Sequence, residues 1–428
     1  MTDVTSDHER AARLRDKVVD ELIERGEIVS KEVEAVMRKV ERHKFAAEAS
    51  LEDAYNTFNA VVTKRNERGN AVSSVSAPQI QAFMLEQAGV RQGMRVLEIG
   101  SGGLNAAYLA ELVGDAGEVT TVDIDPEVTD RAARLLTEAG YSDVHVVLAD
   151  AAEGVPAHDP YDVIMVTVGS WDIPPAWVEQ LTEDGRLVVP LRIRGLMRSV
   201  AFRRESNRLV STSVRVCGFV FMQGAGARDS QLLLVNGTDQ IVLRFDDGLP
   251  ADPHLLDNAV RSPRAETWTG VTVKRGVPID MLQLYMATVL PGFCTMSVDK
   301  DLDTGIVAPW NKRFSMAAVD GPNFAYITPR LTEDEQSFEY GVHALGPDGP
   351  EVAEKIASHV RTWDREHRDG PGPRIAVYPA GTPDDRIREL PGARVIDKDH
   401  CRVTISWPST ATAAEDQDVQ HHTTEQGE

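Results

Sequence analysis

The chain has 428 residues, a formal net charge of −22, 42% hydrophobic and 26% charged residues, which excludes one small core and reads as two or three globular domains. The acidic excess excludes a nucleic-acid partner, because phosphate binding needs clustered Lys and Arg, and an acidic peptide substrate would need a locally positive pocket. No apolar run approaches the roughly 20 residues that cross a bilayer.

The opening MTDVTSDHERAARLRDK contains no apolar segment of the kind that directs secretion. Cys217, Cys294 and Cys401 are too scattered for a disulfide framework, and no CxxC pair suggests zinc. A cytoplasmic chain with no membrane association and no metal is expected. Residues 6–48 place Leu14, Val18, Leu22, Ile23, Val33, Val36, Met37 and Val40 at helical spacing. This predicts two amphipathic helices, the first ending near Gly26 and the second capped by Ser30. Residues 56–72 are polar and loop-like. From 78 to 190, helices at 78–89, 104–113, 126–139 and 174–181 alternate with the strands RVLEIG, EVTTVDID, VHVVLAD, YDVIMVTVG and GRLVVPL. That alternation predicts a mostly parallel, doubly wound sheet. Residues 198–224 read as a hairpin. Beyond 225, strand-like runs mixed with Gly/Pro/Asp turns, a helix at 350–367 and two last strands predict a separate α+β domain. Residues 409–428 hold no Lys or Arg and five acids, a composition that predicts disorder. The expected division is 1–55 helical, 56–224 Rossmann-like, 225–408 α+β and 409–428 tail.

RVLEIGSGGLNAAYLAEL is a strand, a glycine turn and a helix, in which Gly100, Gly102 and Gly103 let a ligand approach the helix N-terminus. NAD, FAD and S-adenosylmethionine sites all use such a turn. Glu98, Asp123 and Asp150 end three successive strands. Asp123 can accept both ribose hydroxyls and Asp150 can reach an adenine amino group. Three acids suit S-adenosylmethionine, which is cationic and carries no phosphate; turn formation or helix capping is the plain alternative for each acid.

With ELIERGEIVSKEVEAVMRKVERHKF, SVSAPQIQAFM, VLEIGSGG, VDIDPE, YDVIMVTVG and LTEDGRLVVPL in place, the chain resembles the protein L-isoaspartyl O-methyltransferase family from about Leu14 to Gly224. The resemblance implies a Rossmann-like S-adenosylmethionine-dependent methyltransferase that esterifies a free aspartyl carboxylate. It implies Ser76 as the active-site serine and a cofactor shell of Glu98, Gly100, Ser101, Gly102, Gly103, Asp123, Ile124, Asp150, Ala151 and Thr167. Ser74, Val75, Ala77, Val168 and Gly169 would face the substrate. Three features depart from the family pattern: a glycine loop one residue shorter, an unlike 56–72 segment, and a continuation of 204 residues past Gly224. The extension is similar to the actinobacterial "FxLD" methyltransferases of lanthipeptide clusters. These carry a normal Asp of an already cyclised precursor peptide through a methyl ester and succinimide to isoaspartate. An isoaspartyl repair enzyme with an accessory domain is the alternative, and a non-catalytic S-adenosylmethionine-binding scaffold is the third reading.

The chemistry fits a hydroxyl. A carboxylate is ionised at neutral pH, its reference pKa being about 4, so no strong base is required, only alignment and desolvation. Ser76 can hold one oxygen without adding charge. It lies just outside a helix whose first turn is Pro78 and whose cap is Ala77. Ser73 and Ser74 are read as solvent-facing or cofactor-side. Lys64, Arg65 and Arg68 are candidates to meet an acidic peptide. DKDHC at 397–401 reads as a turn before a strand, and Trp310 and Trp407 as packing residues.

Overall fold

The computed structural model describes residues 2–387 and 392–408; the tail for which disorder is expected lies outside them. Helices Thr2–Glu24 and Lys31–Lys39 form as the spacing predicts. The Ser30 hydroxyl accepts from the Val33 N–H at 3.2 Å, and Glu32 and Glu34 sit favourably in the first turn. With the short helices Arg42–Phe45 and Leu51–Ala54, these elements bury Val18, Leu22, Val33, Met37 and Phe45 in the same apolar cluster as Leu104 and Leu109. Arg42, 2% exposed, donates to the Ala54 carbonyl at 2.5 Å and to Gln81 Oε1 at 2.6 Å, and burial draws its pKa down to about 10.

The main sheet has ten strands. From one edge, His145–Leu148, Glu118–Asp123, Arg95–Ile99, Tyr161–Val166 and Leu181–Ile193 are parallel. Their near-continuous apolar runs match strands covered on both faces. The chain order reverses around Arg95–Ile99, and the crevice beyond the carboxyl ends of the strands at such a switch point is where doubly wound sheets bind ligands. Antiparallel Leu196–Glu205 and Arg208–Val216 follow as the expected hairpin, although the second strand ends at Val216 and Cys217–Phe221 leaves the sheet.

The segment expected to be a separate domain is bound into this sheet. Arg374–Pro379 pairs with Arg208–Val216, and Cys401–Ser406 and Arg394–Asp397 complete the edge. The rest forms a seven-stranded antiparallel sheet, Gln231–Leu234, Ile241–Phe245, Phe293–Val298, Ser315–Asp320, Asn323–Leu331, Ser337–Leu345 and Ala265–Lys274. Helices Asp280–Val289 and Gly349–Glu366 supply Leu282, Met286, Val352, Ile356 and Val360 to a cluster that also holds Leu187, Tyr340, Ile375 and Val403. One core therefore spans both halves. Across it, Arg192 Nη2 meets Asp246 Oδ1 at 2.6 Å, with side chains 4% and 0% exposed. The DKDHC turn serves the same junction. Buried Lys398 donates to the carbonyls of Trp171 and Arg192, and Asp172 accepts from the His400 N–H and the Cys401 thiol. Trp407 packs edge-on against Tyr285, whereas Trp310 is 62% exposed against Phe338.

Candidate active site

The glycine turn follows Ile99 at the switch point. Gly100 has φ +101°, and a Cβ there would lie 2.6 Å from Thr167 Oγ1. That hydroxyl stands 3.0 Å from the Ile99 carbonyl and 2.8 Å from that of Gly100, so the neighbouring strand end braces the turn from below. Asp123 Oδ2 accepts from the Ser101 N–H and Oδ1 from the Asp125 N–H, each at 3.0 Å. Burial nevertheless raises the Asp123 pKa. Asp150 Oδ1 accepts from the Ala152 N–H at 3.0 Å, and Oδ2 from the Ala225 N–H at 2.7 Å. Asp123, Asp150, Gly100, Ile124, Ala151 and Val168 line one cleft. Its acidic wall suits a cationic ligand.

An adjoining cleft shares Gly100 and is lined by Ser74, Val75, Ser76, Glu98, Gly102 and Thr167, with Asn105 and Phe219. Ser76 is half-buried, and its hydroxyl has no partner among the described residues. Ser73, by contrast, accepts from Thr63 Oγ1 at 2.9 Å. Glu98 is fully buried and accepts from Thr121 Oγ1 at 2.7 Å; burial, with the charge of Asp123, pushes its pKa up to about 7. Four expected residues line neither cavity. Ala77 is the buried N-cap of Pro78–Ala88, Ser101 and Gly103 are buried in the turn, and Gly169 is covered by backbone. The Gly169 N–H donates to the Val220 carbonyl at 2.7 Å, and its carbonyl accepts from the Met222 N–H at 3.0 Å.

Two covering elements were not legible in the sequence. The polar 56–72 segment is no loop: Val61–Arg65 and Ala71–Val75 form an antiparallel hairpin whose Val72 lines the acidic cavity. Its strands are only half-buried and its register shifts twice, so the apolar alternation that marks a strand is absent. Asn and Gly between two β-branched runs were the available signal. Lys64 Nζ ties it down, 2.6 Å from Asp125 Oδ2 and 3.1 Å from Glu127 Oε2, and the Asp125 hydrogen bond raises the lysine pKa. The second cover is the strap 217–226. Phe221, Met222 and Gln223 line the acidic cavity, and Arg192 stacks 4.3 Å over the Phe221 ring. Gly224, at φ +70°, leaves no room for a side chain: a Cβ there would collide with Asp150 Oδ2 and Ile124 Cδ1.

Residues 13–225 match the family model described as protein-L-isoaspartate(D-aspartate) O-methyltransferase. A protein-L-isoaspartate O-methyltransferase of Ignicoccus hospitalis is 38% identical over 176 residues, 41% of this chain and 80% of the relative. That of Hyperthermus butylicus is 34% identical over 230 residues, 51% of this chain and 92% of the relative. Among solved structures, a protein-L-isoaspartate O-methyltransferase aligns with 82% of this chain and 92% of its own length at 22% identity and a TM-score of 0.46.

Proposed function

The chain belongs to the protein-L-isoaspartate(D-aspartate) O-methyltransferase family and is an S-adenosylmethionine-dependent carboxyl methyltransferase, and from this premise we propose that its acceptor is a normal Asp side chain of a ribosomally made, lanthipeptide-like precursor peptide. The observation that carries the proposal is the second half of the chain. It lies outside the family match, yet it shares the catalytic sheet and meets it through the buried Arg192–Asp246 pair. In this reading the joined second half supplies the surface that a longer peptide requires.

In this reading Asp123 and Asp150 hold the ribose and adenine, and Gly100 and Gly102 let the cofactor approach the backbone. Hairpin and strap exclude water. Ser76 donates to one oxygen of the acceptor carboxylate and leaves the other free to attack, with no proton removed. S-adenosylmethionine, when bound, supplies an electrophilic methyl whose carbon–sulfur electron pair stays on sulfur as the new oxygen–carbon bond forms. The neutral hydroxyl orients the nucleophile without quenching it. The ester then closes on itself: the backbone nitrogen of the following residue attacks the ester carbonyl, and methanol leaves with that amide proton. Water opens the succinimide to isoaspartate.

Isoaspartyl repair is the second reading, favoured by the names of relatives 34–38% identical. Mass spectrometry with two peptides in parallel separates them. A methyl gained, or water lost through the succinimide, on the normal Asp of a cyclised precursor supports tailoring. Methylation of a generic isoaspartyl peptide alone overturns it in favour of repair. Cofactor binding without turnover on either peptide overturns both and leaves the scaffold reading.

A further inference from the structure

Far from the methyl-transfer site, two imidazoles and a carboxylate converge. Glu118 opens the strand Glu118–Asp123, His145 opens the parallel strand His145–Leu148, and His158 ends the turn Pro156–His158. His145 Nε2 lies 3.0 Å and His158 Nδ1 2.9 Å from the same oxygen, Glu118 Oε1. The two rings stack, with centroids 4.2 Å apart and planes 19° from parallel, so both must tilt for their in-plane lone pairs to converge on one ion. Arg95 Nε lies 3.5 Å from the other oxygen, Oε2, and Oε1 is the oxygen that both imidazoles face. The side chains of Glu118, His145 and His158 are 31%, 44% and 26% exposed, close enough to the surface for an ion to enter.

We propose that Glu118, His145 and His158 form a binding site for one divalent cation of borderline softness, of the zinc type. Two neutral imidazoles and one monodentate carboxylate are a donor set that such ions take, with solvent completing the shell. Bonds of about 2.0–2.1 Å arranged tetrahedrally space donor atoms about 3.3 Å apart. All three donor atoms lie within 4.8 Å of one another. The two short separations therefore need to widen by only a few tenths of an ångström, within reach of half-exposed side chains. With the ion bound, each neutral ring carries its one proton on the nitrogen turned away from Oε1, and the facing nitrogen offers its lone pair.

The site clamps the first residues of two parallel strands to the turn at 156–158. It sits at their amino ends, whereas Asp123 ends its strand at the opposite edge, roughly 16 Å away at about 3.3 Å per residue. The cation therefore acts on the scaffold and takes no part in methyl transfer.

The test uses the full chain, stripped with EDTA, dialysed and titrated with Co2+ while visible absorption is recorded. We expect d–d bands saturating at one Co2+ per chain, displaced by Zn2+, and lost in both His145→Gln and His158→Gln. Glu118→Gln weakens the binding at least tenfold. Melting of the metal-free proteins checks that all three variants fold, and EDTA leaves methyl transfer by the wild-type enzyme within twofold. Absence of the bands in wild-type protein, or their retention in both histidine variants, overturns the proposal. Retention would assign the cobalt to other histidines, such as His421 and His422.

Discussion

Replacing Ser76 with alanine tests the site most directly. The hydroxyl is half-buried with no partner among the described residues, so its loss strands no donor or acceptor, and the melting temperature should stay within about 1 °C. A hydrogen bond to a charged group contributes about 1.5–3 kcal/mol net. At about 1.4 kcal/mol per factor of ten, kcat/KM for the peptide should fall about 10- to 150-fold. The division of that loss follows from the charges. As the oxygen–carbon bond forms, the carboxylate loses negative charge, so the Ser76 hydrogen bond is at least as strong in the ground state as in the transition state. The KM for peptide should therefore carry most of the loss, and kcat should fall only as far as alignment suffers. The KM for S-adenosylmethionine should not move. Steady-state methyl-transfer assays varying each substrate in turn measure all three quantities. A kcat/KM within threefold of wild type, or a defect confined to the cofactor, would refute the role given to Ser76.

Gly224→Ala puts a methyl into Asp150 and strains a positive φ, so S-adenosylmethionine affinity by calorimetry should fall at least tenfold; an unchanged affinity would mean that the strap does not seat on Asp150. Glu98 has its native pKa raised to about 7 from the ordinary 4.5. Below about 4.5 both folded and unfolded states hold the proton. As pH rises toward 7 only the native state keeps it, so stability declines over that window and stays lower above it. Melting curves of Glu98→Gln from pH 4.5 to 7.5 should be flatter than wild type, and parallel curves would contradict the burial argument. Asp246→Ala leaves the Arg192 guanidinium buried without its carboxylate, and also deprives the Gly195 N–H and the Ser230 hydroxyl of an acceptor. Urea unfolding should show a loss of about 3–5 kcal/mol, and a change under 1 kcal/mol would show that the junction is not held by this pair.

What could be read from residues alone was local. Ser30 and Ala77–Pro78 announce helix starts because a cap needs only its next few neighbours. Helices at 104–113 and 126–139, the strands between them and the acids at their ends follow from apolar runs bounded by Gly, Asp and Pro. These suffice to place Gly100, Asp123 and Asp150 at one edge of a parallel sheet, because alternating strands and helices leave little choice of topology. Long-range pairing has no such local signature. Nothing within Arg374–Pro379 says that it pairs with Arg208–Val216, since the register sets Val377 beside Leu209 and Ala376 beside Val210, more than 160 residues apart in the chain. The roof hairpin, the strap that caps Asp150 and covers Gly169, and the meeting of Glu118, His145 and His158 are likewise juxtapositions of distant segments. Only packing the whole chain around one core decides which of those segments touch.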